Sequence, residues 1–359
     1  MMDKTYQILG MMSGTSLDGL DMALCEFTAS KNTWAYRILK TGFREYDEAM
    51  RLRLQHAINL SATELLGFHE TYGRWLGRQA RIFLEASGAR ADAIASHGHT
   101  IHHRPEEGFT FQLGNPQQIA LESGCRTVGD FRSLDVALGG QGAPLVPIGD
   151  HMLFGSYRFC LNLGGIANVS FQHEGDRMAF DIGIANMLLN YLCKPLGISY
   201  DEDGSYARQG SLNKGLLHAL DNLPYYQQPF PKSTGYEWFR DAIIPLLERF
   251  PDTPENQLRT GVWHIAGQIC RQLRNLGGND PAEVLTTGGG ALNTYLMEVL
   301  QALLGPRIRL VLPEPDLILF KEALVFAFLG ALQLAGKPNV LASVTGASRD
   351  SCSGILCEP

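Results

Sequence analysis

Three stretches of this 359-residue chain concentrate small, hydroxylic and acidic residues at spacings that suit phosphate chemistry. In Met12-Ser-Gly-Thr-Ser-Leu-Asp-Gly-Leu-Asp21 the glycines leave backbone amides open to an anion. Thr15 and Ser16 add hydroxyl donors there, and Asp18 is a ligand for Mg²⁺, directly or through water. No Gly-Lys-Ser/Thr follows, so this is not a Walker loop, and a plain hairpin turn is the alternative. Leu163-Gly-Gly-Ile-Ala-Asn168 offers a second turn, in which Gly164, Gly165 and Asn168 grip a polyphosphate from another side. Thr287-Gly-Gly-Gly290 offers a third, where Gly288, Gly289 and Gly290 admit the close approach of a base or ribose. Any one of these is most often just a turn; the three together are far more specific.

Two acids stand out from their neighbours. Asp181, in Phe180-Asp-Ile-Gly-Ile-Ala-Asn186, follows an apolar strand and projects from its end, unless it is a helix N-cap. Glu322 sits in the apolar run Phe320-Lys-Glu-Ala-Leu-Val-Phe-Ala, where a solvated helix face is the plain reading. His97, His99, His102 and His103 invite a metal reading, but their spacing lacks the helical His-Glu-x-x-His form. Contacts to a sugar, or a loop turn, are the other readings, with His99 and Thr100 as the candidate sugar ligands. Arg132 suits a substrate carboxylate, or else pairs with Asp130 or Asp135.

These residues need elements to hold them. Tyr6–Met12 and Leu20–Phe27 read as strands on either side of the first turn, and Arg158–Leu163 and Ile166–Phe171 repeat the device around the second. Val284–Thr286 is a strand entering the third, followed by a helix from about Asn293. Ser61-Ala-Thr-Glu64 is a capping box opening a helix that runs to about residue 86. Ala93–Ser96 is a short strand leading to the histidines, and Lys321–Leu334 a helix rich in Ala, Leu and Phe. Gly139-Gly-Gln-Gly-Ala-Pro-Leu-Val-Pro147 reads as a rigid loop between lobes. Mixed strands and helices give an α/β class, and the repeated strand-turn-strand unit implies two similar lobes around a cleft.

Composition narrows the partners. The net charge is −7 and the isoelectric point about 5.8, which argues against nucleic acid as a partner but not against a small nucleotide. The seven cysteines are scattered, odd in number and without a Cys-x-x-Cys pair, as expected of reduced thiols in a cytoplasm. The first twelve residues do not read as a signal peptide, and the apolar runs read as too short and interrupted to span a bilayer.

Taken jointly, these motifs resemble the anhydro-N-acetylmuramic acid kinases, members of the actin/hexokinase-type superfamily. The likeness runs from Gly10-Met-Met-Ser-Gly-Thr-Ser-Leu-Asp-Gly-Leu-Asp21 through Ser96-His-Gly-His-Thr100, Asp130-Phe-Arg132, Gly139–Pro147, Asn162–Asn168 and Pro231-Lys-Ser-Thr-Gly235. It ends with Gly288–Gly290, Glu322-Ala323 and Ser343-Val-Thr-Gly-Ala347. The resemblance implies two ribonuclease-H-like lobes of the actin/hexokinase ATPase fold: residues 1–130 with about 340–359 as lobe I, and 131–339 as lobe II. It also implies a cytoplasmic homodimer, free of membrane and nucleic acid, that uses ATP and Mg²⁺ in peptidoglycan recycling. Such an enzyme opens the 1,6-anhydro bond of 1,6-anhydro-N-acetylmuramic acid with water and phosphorylates O6. By this resemblance Asp181 is the general base and Glu322 an acid near the sugar. Gly14, Thr15, Ser16, Leu17, Asp18, Gly19, Leu20 and Asp21 are the ATP-binding stretch.

The chain departs from the family pattern at Ile182, Ile184 and Ala185, where Thr, Pro and Gly are usual, and at His99 and Tyr236, where Gln and Arg are common. These departures make altered substrate contacts beside Asp181 an expectation. They also keep open a same-fold kinase for another sugar. A metal-dependent hydrolase built on the histidines and a nucleotide sensor without turnover are further alternatives.

Overall fold

The computed structural model describes residues 4–14, 17–31, 33–278 and 280–359; Thr15 and Ser16 of the first turn lie outside them. Its strands, in chain order, are β1 (Lys4–Ser13), β2 (Gly19–Ser30), β3 (Thr33–Glu45), β4 (Ala93–Ser96), β5 (His99–Arg104), β6 (Phe109–Leu113) and β7 (Thr127–Gly129). They continue with β8 (Phe159–Leu163), β9 (Ile166–His173), β10 (Asp176–Ile184), β11 (Ala282–Thr287), β12 (Ile308–Val311) and β13 (Ile355–Cys357).

The chain divides into two compact units, one of Met1–Gly155 with Phe320–Pro359 and the other of Ser156–Leu319. The division expected from sequence broke at 130/131 and near 340. Residues 131–155 and 320–339 fall in the first unit for reasons visible in its packing. Phe131 lies edge-on to Phe326, and Lys321 pairs with Asp150 at 2.7 Å in a water-excluded site. The Gly139–Pro147 stretch also belongs wholly to this unit. The Asp135 carboxylate accepts from the Gly142 amide (2.7 Å) and the Thr345 hydroxyl (2.7 Å), and the Gln141 amide donates to the Thr345 carbonyl.

Each unit holds one main sheet, and both sheets share a single plan. In the first unit the order is β13-β7-β4-β1-β2-β3. β3, β2 and β1 are antiparallel neighbours, and β4 and β7 continue parallel to β1. In the second unit the order is β10-β9-β8-β11-β12, antiparallel from β10 to β8 and parallel from β8 to β12. This is the ribonuclease-H-like arrangement expected of each lobe. In both cases the antiparallel hairpin carries a candidate phosphate turn at its tip, and the strand beside it runs parallel to the hairpin's first strand.

Helix Pro315–Leu334, six residues longer at its start than expected, is kinked at Phe320. At 20 residues it is long and apolar enough to cross a membrane, contrary to the reading of the apolar runs as too short. Its apolar surface has an internal partner: Ala323–Leu332 is buried, and it lies on the first sheet so closely that a Cβ on Gly10 would stand 1.9 Å from the Ala323 carbonyl oxygen. Only glycine permits that approach. The capping box opens helix Ala62–Ser87 as read from sequence, with both reciprocal hydrogen bonds formed. Phe68, Tyr72 and Leu76 are the buried stripe of this helix.

Candidate active site

In the first unit, β1 and β2 pair through Ser13 and Leu20, so Gly14, Leu17 and Asp18 lie at the tip of a hairpin. Leu17 is held there at φ 58°, a left-handed conformation costly for a leucine, and its amide donates to the Gly14 carbonyl. The Asp18 carboxylate accepts from the Gly19 amide (2.9 Å), and the Asp18 carbonyl accepts from the Tyr46 amide (3.1 Å). Leu20 is a core residue, so its place in the stretch is structural packing. Asp21 stands directly opposite Met12. Burial first, then the charges of Asp18 and Glu322, push its carboxyl up to about 7.

His99 lies at the start of β5 and ends a chain of buried hydroxyls. Tyr72 and Tyr46 hydroxyls are 2.7 Å apart, Tyr46 donates to Ser13 Oγ at 2.7 Å, and Ser13 Oγ lies 3.0 Å from His99 Nδ1. Burial lowers the imidazole to about 4, so His99 is neutral at physiological pH. Thr100 accepts a 3.4 Å contact from Gln112. The other histidines diverge: His97 meets Arg132, His103 meets Thr110, and His102 lies beside the ring of Phe109. Among the described residues no group of three or more His, Cys, Asp or Glu is disposed to hold a metal ion.

Arg132 pairs with neither Asp130 nor, by hydrogen bond, Asp135. It donates to His97 Nε2 through two nitrogens and to the Gly142 carbonyl (2.7 Å). Asp130 instead receives the amide and hydroxyl of Ser133. Desolvation brings the guanidinium down to about 10, opposed by the charges of Glu322 and Asp135. Glu322, two residues past the helix kink, is partly buried rather than on a fully solvated face. Burial raises its carboxyl, while Lys321 and Arg132 pull it back. Arg132, Glu322, Asp21 and Asp18 therefore form one electrostatic group in this unit.

In the second unit the Gly164-Gly165 turn joins β8 to β9. Its two carbonyls accept the amides of Ala185, Asn186 and Met187, which open helix Asn186–Cys193. A Cβ on either glycine would meet nothing closer than 3.6 Å, so the outer side of the turn is open. β11 runs beside β8, so Thr287 stands opposite Asn162 and delivers Gly288–Gly290 to the same place. Gly288 adopts φ 83°, and a Cβ there would fall 2.6 Å from Asn162 Oδ1. The second and third glycine elements are thus adjacent. Asn168, in β9, pairs across to Asp181 in β10 and to Asn162 in β8.

Asp181 lies at a bulge three residues before the end of β10, so it is no helix cap; the cap position of helix Asn186–Cys193 is Ala185. Its Oδ2 accepts from the Thr234 amide at 3.1 Å, its carbonyl accepts from the Tyr225 hydroxyl at 2.7 Å, and its amide donates to the Lys232 carbonyl at 3.0 Å. Burial raises the carboxyl above the ordinary aspartate range, and the Thr234 amide opposes this. Tyr225, Lys232 and Thr234 were not singled out from sequence as site residues, although Pro231–Gly235 was among the matching motifs; nothing local links them to a strand 50 residues earlier. Ile182 and Ile184 are buried in the core of this unit, as is Ala185. The expected change of contacts beside Asp181 therefore becomes a change of packing behind it.

The family model described as anhydro-N-acetylmuramic acid kinase matches residues 6–358. Among curated proteins, the anhydro-N-acetylmuramic acid kinase of Gloeobacter violaceus is 38% identical over 97% of this chain and 97% of its own. That of Vibrio cholerae is 36% identical over 98% of both chains, and that of Shewanella amazonensis 35% identical over 96% of this chain and 97% of its own.

Proposed function

The chain belongs to the anhydro-N-acetylmuramic acid kinase family, and on that premise we propose that it uses ATP and water to convert 1,6-anhydro-N-acetylmuramic acid to N-acetylmuramic acid 6-phosphate and ADP. Asp181 takes a proton from water as the water oxygen bonds to the anomeric carbon. The bond from that carbon to O6 breaks, and O6 takes the γ-phosphoryl group in place of the proton an acid would supply in a glycosidase. The observation that carries this reading is the state of Asp181: one carboxylate oxygen is fixed by the Thr234 amide, and among the described residues Oδ1 takes no hydrogen bond. A carboxylate held on one side and available on the other suits a general base.

Residues 14–19 and 164–165, with Asn168, are the proposed phosphate contacts, and Gly288–Gly290 the proposed approach to the nucleoside. His99, Thr100, Arg132 and Glu322 are proposed on the sugar, Arg132 for its carboxylate. Mg²⁺ fits beside Asp18 and Asp21. Burial first, and then the charges of Asp18 and Glu322, push the carboxyl of Asp21 up, and the negative charge gathered there is what a hydrated divalent cation relieves. When bound, the ion supplies neutralisation of phosphate charge. A cytoplasmic setting completes the reading, supported by seven free cysteines; the homodimer is proposed from family membership alone.

The test is ADP release from Mg·ATP and the anhydro-sugar, with the sugar product weighed by mass spectrometry. A product heavier by one water and one phosphoryl group is expected. No ADP above the sugar-free background overturns the assignment.

A further inference from the structure

Three hydrogen bonds around Asp181 close into a ring that runs through a distant segment, and a fourth holds its carboxylate. The Tyr225 hydroxyl donates to the Asp181 carbonyl (2.7 Å). The Tyr225 carbonyl accepts from Lys232 Nζ (3.0 Å), which also stands 4.6 Å from the centre of the Tyr225 ring. The Lys232 carbonyl accepts from the Asp181 amide (3.0 Å), and two residues on, the Thr234 amide reaches Asp181 Oδ2 (3.1 Å). Every polar group of the Asp181 residue except Oδ1 is therefore engaged by residues 225–234.

We propose that Tyr225 and Lys232 are positioning residues that fix the Asp181 carboxylate for its task, acting through the main chain rather than on the substrate. The proposal rests on Asp181 being the base. The bulge between Asp181 and Gly183 gives the reason such a device is needed. At a bulge the ladder is interrupted, and an extra residue is left without its regular partner. Ile182 is that residue; Asp181 beside it keeps Asn168 opposite, but β10 is the last strand of its sheet, so among the described residues no further strand lies along its other edge. The amide and carbonyl bonds to 225–234 supply partners from outside the sheet, and the Thr234 amide then selects one carboxylate oxygen. Lys232 closes the ring by tying the two ends of the 225–234 segment together. Its ammonium is turned to the Tyr225 carbonyl and ring, so its work is internal to the segment. Tyr225 is itself buried, and burial together with the Asp181 charge holds its phenol protonated, as a donor must be. Misplacing a reacting group by about 1 Å costs about 10²-fold in rate, so loosening this ring lowers turnover without touching the nucleotide.

The experiment compares Tyr225→Phe, Lys232→Met, Lys232→Arg and the Tyr225→Phe/Lys232→Met double variant with Asp181→Asn, in the full chain, by steady-state kinetics and thermal melting. Tyr225→Phe and Lys232→Met are each expected to lower kcat by about 10²-fold while leaving the KM for ATP unchanged. Because the ring works as one unit, the double variant loses no more than the worse single. Lys232→Arg, which still donates to the Tyr225 carbonyl, recovers part of the loss. Should Tyr225→Phe fail to fold, the contrast between Lys232→Met and Lys232→Arg carries the test. Folded single variants with kcat within about twofold of the parent, beside an inactive Asp181→Asn, overturn the positioning role and leave the base reading standing; losses that add fully in the double variant overturn it as well. Turnover retained in Asp181→Asn overturns both.

Discussion

Two nitrogens of the Arg132 guanidinium converge on Nε2 of His97, Nε at 3.1 Å and a terminal nitrogen at 2.9 Å. An imidazole nitrogen accepts only when it carries no proton, so His97 is the neutral Nδ1–H tautomer. Burial first, and the Arg132 charge second, hold its pKa well below the ordinary histidine value. The guanidinium is thereby held by a group that cannot neutralise it, which suits the proposed contact with a substrate carboxylate. A lysine has no planar fork with which to hold this geometry. Arg132→Lys is expected to raise the KM for the anhydro-sugar by about tenfold or more, the loss of about one charge-assisted hydrogen bond, with the KM for ATP unchanged. Varying each substrate in turn checks it; an equal change in both constants would remove Arg132 from the sugar site.

Removing the base should separate binding from chemistry. Asp181→Asn keeps the shape and the Thr234 hydrogen bond but accepts no proton from water. Turnover is expected to fall by about 10²–10⁴-fold or more. Nucleotide binding, followed by calorimetry, is expected to stay within about twofold, since Asp181 makes no phosphate contact in this scheme. Near-normal turnover would place the proton elsewhere.

Asp21 predicts a pH dependence of stability with a definite sign. Its carboxyl titrates at about 7 in the folded chain, against an ordinary value of 3.8. Between those values the folded protein keeps a proton that the unfolded chain has released, so the stabilisation is complete below the unfolded value and is lost as pH rises through about 7. Asp21→Asn cannot ionise and escapes this loss. The melting temperature of the variant minus that of the parent is expected to be larger at pH 8 than at pH 4, both without nucleotide. A difference that does not change with pH would mean the burial of Asp21 does not govern its titration.

The close approach at Gly10 gives a packing test far from the chemistry. A methyl at that position would lie 1.9 Å from the Ala323 carbonyl oxygen and 2.8 Å from the Ala327 nitrogen, both backbone atoms that cannot rotate away. Gly10→Ala is expected to cost about 1–3 kcal/mol or more in urea unfolding. Unchanged stability would show that helix Pro315–Leu334 shifts freely over β1.

The elements whose periodicity and turn chemistry are local were legible in the sequence: the two hairpins, the capping box of Ala62–Ser87 and the strand into Gly288–Gly290. The motifs that carry the family likeness were legible for the same reason, since backbone exposure at glycines and strand alternation act within a few residues. What the sequence did not disclose depends on residues far apart along the chain. Arg132 has acidic neighbours in sequence, yet it turns to His97, 35 positions away. Glu322 looks like a surface charge on an apolar helix until the helix is laid on its sheet, where desolvation raises its carboxyl. Ile182 and Ile184 follow Asp181 closely in sequence but are buried in the core, because only the sheet decides which face of a strand is buried. The sequence by itself therefore determined which chemical groups are present and which turns and strands display them. The tertiary structure decided their protonation, their partners and their orientation, because burial and hydrogen bonding between distant segments exist only once the chain is folded.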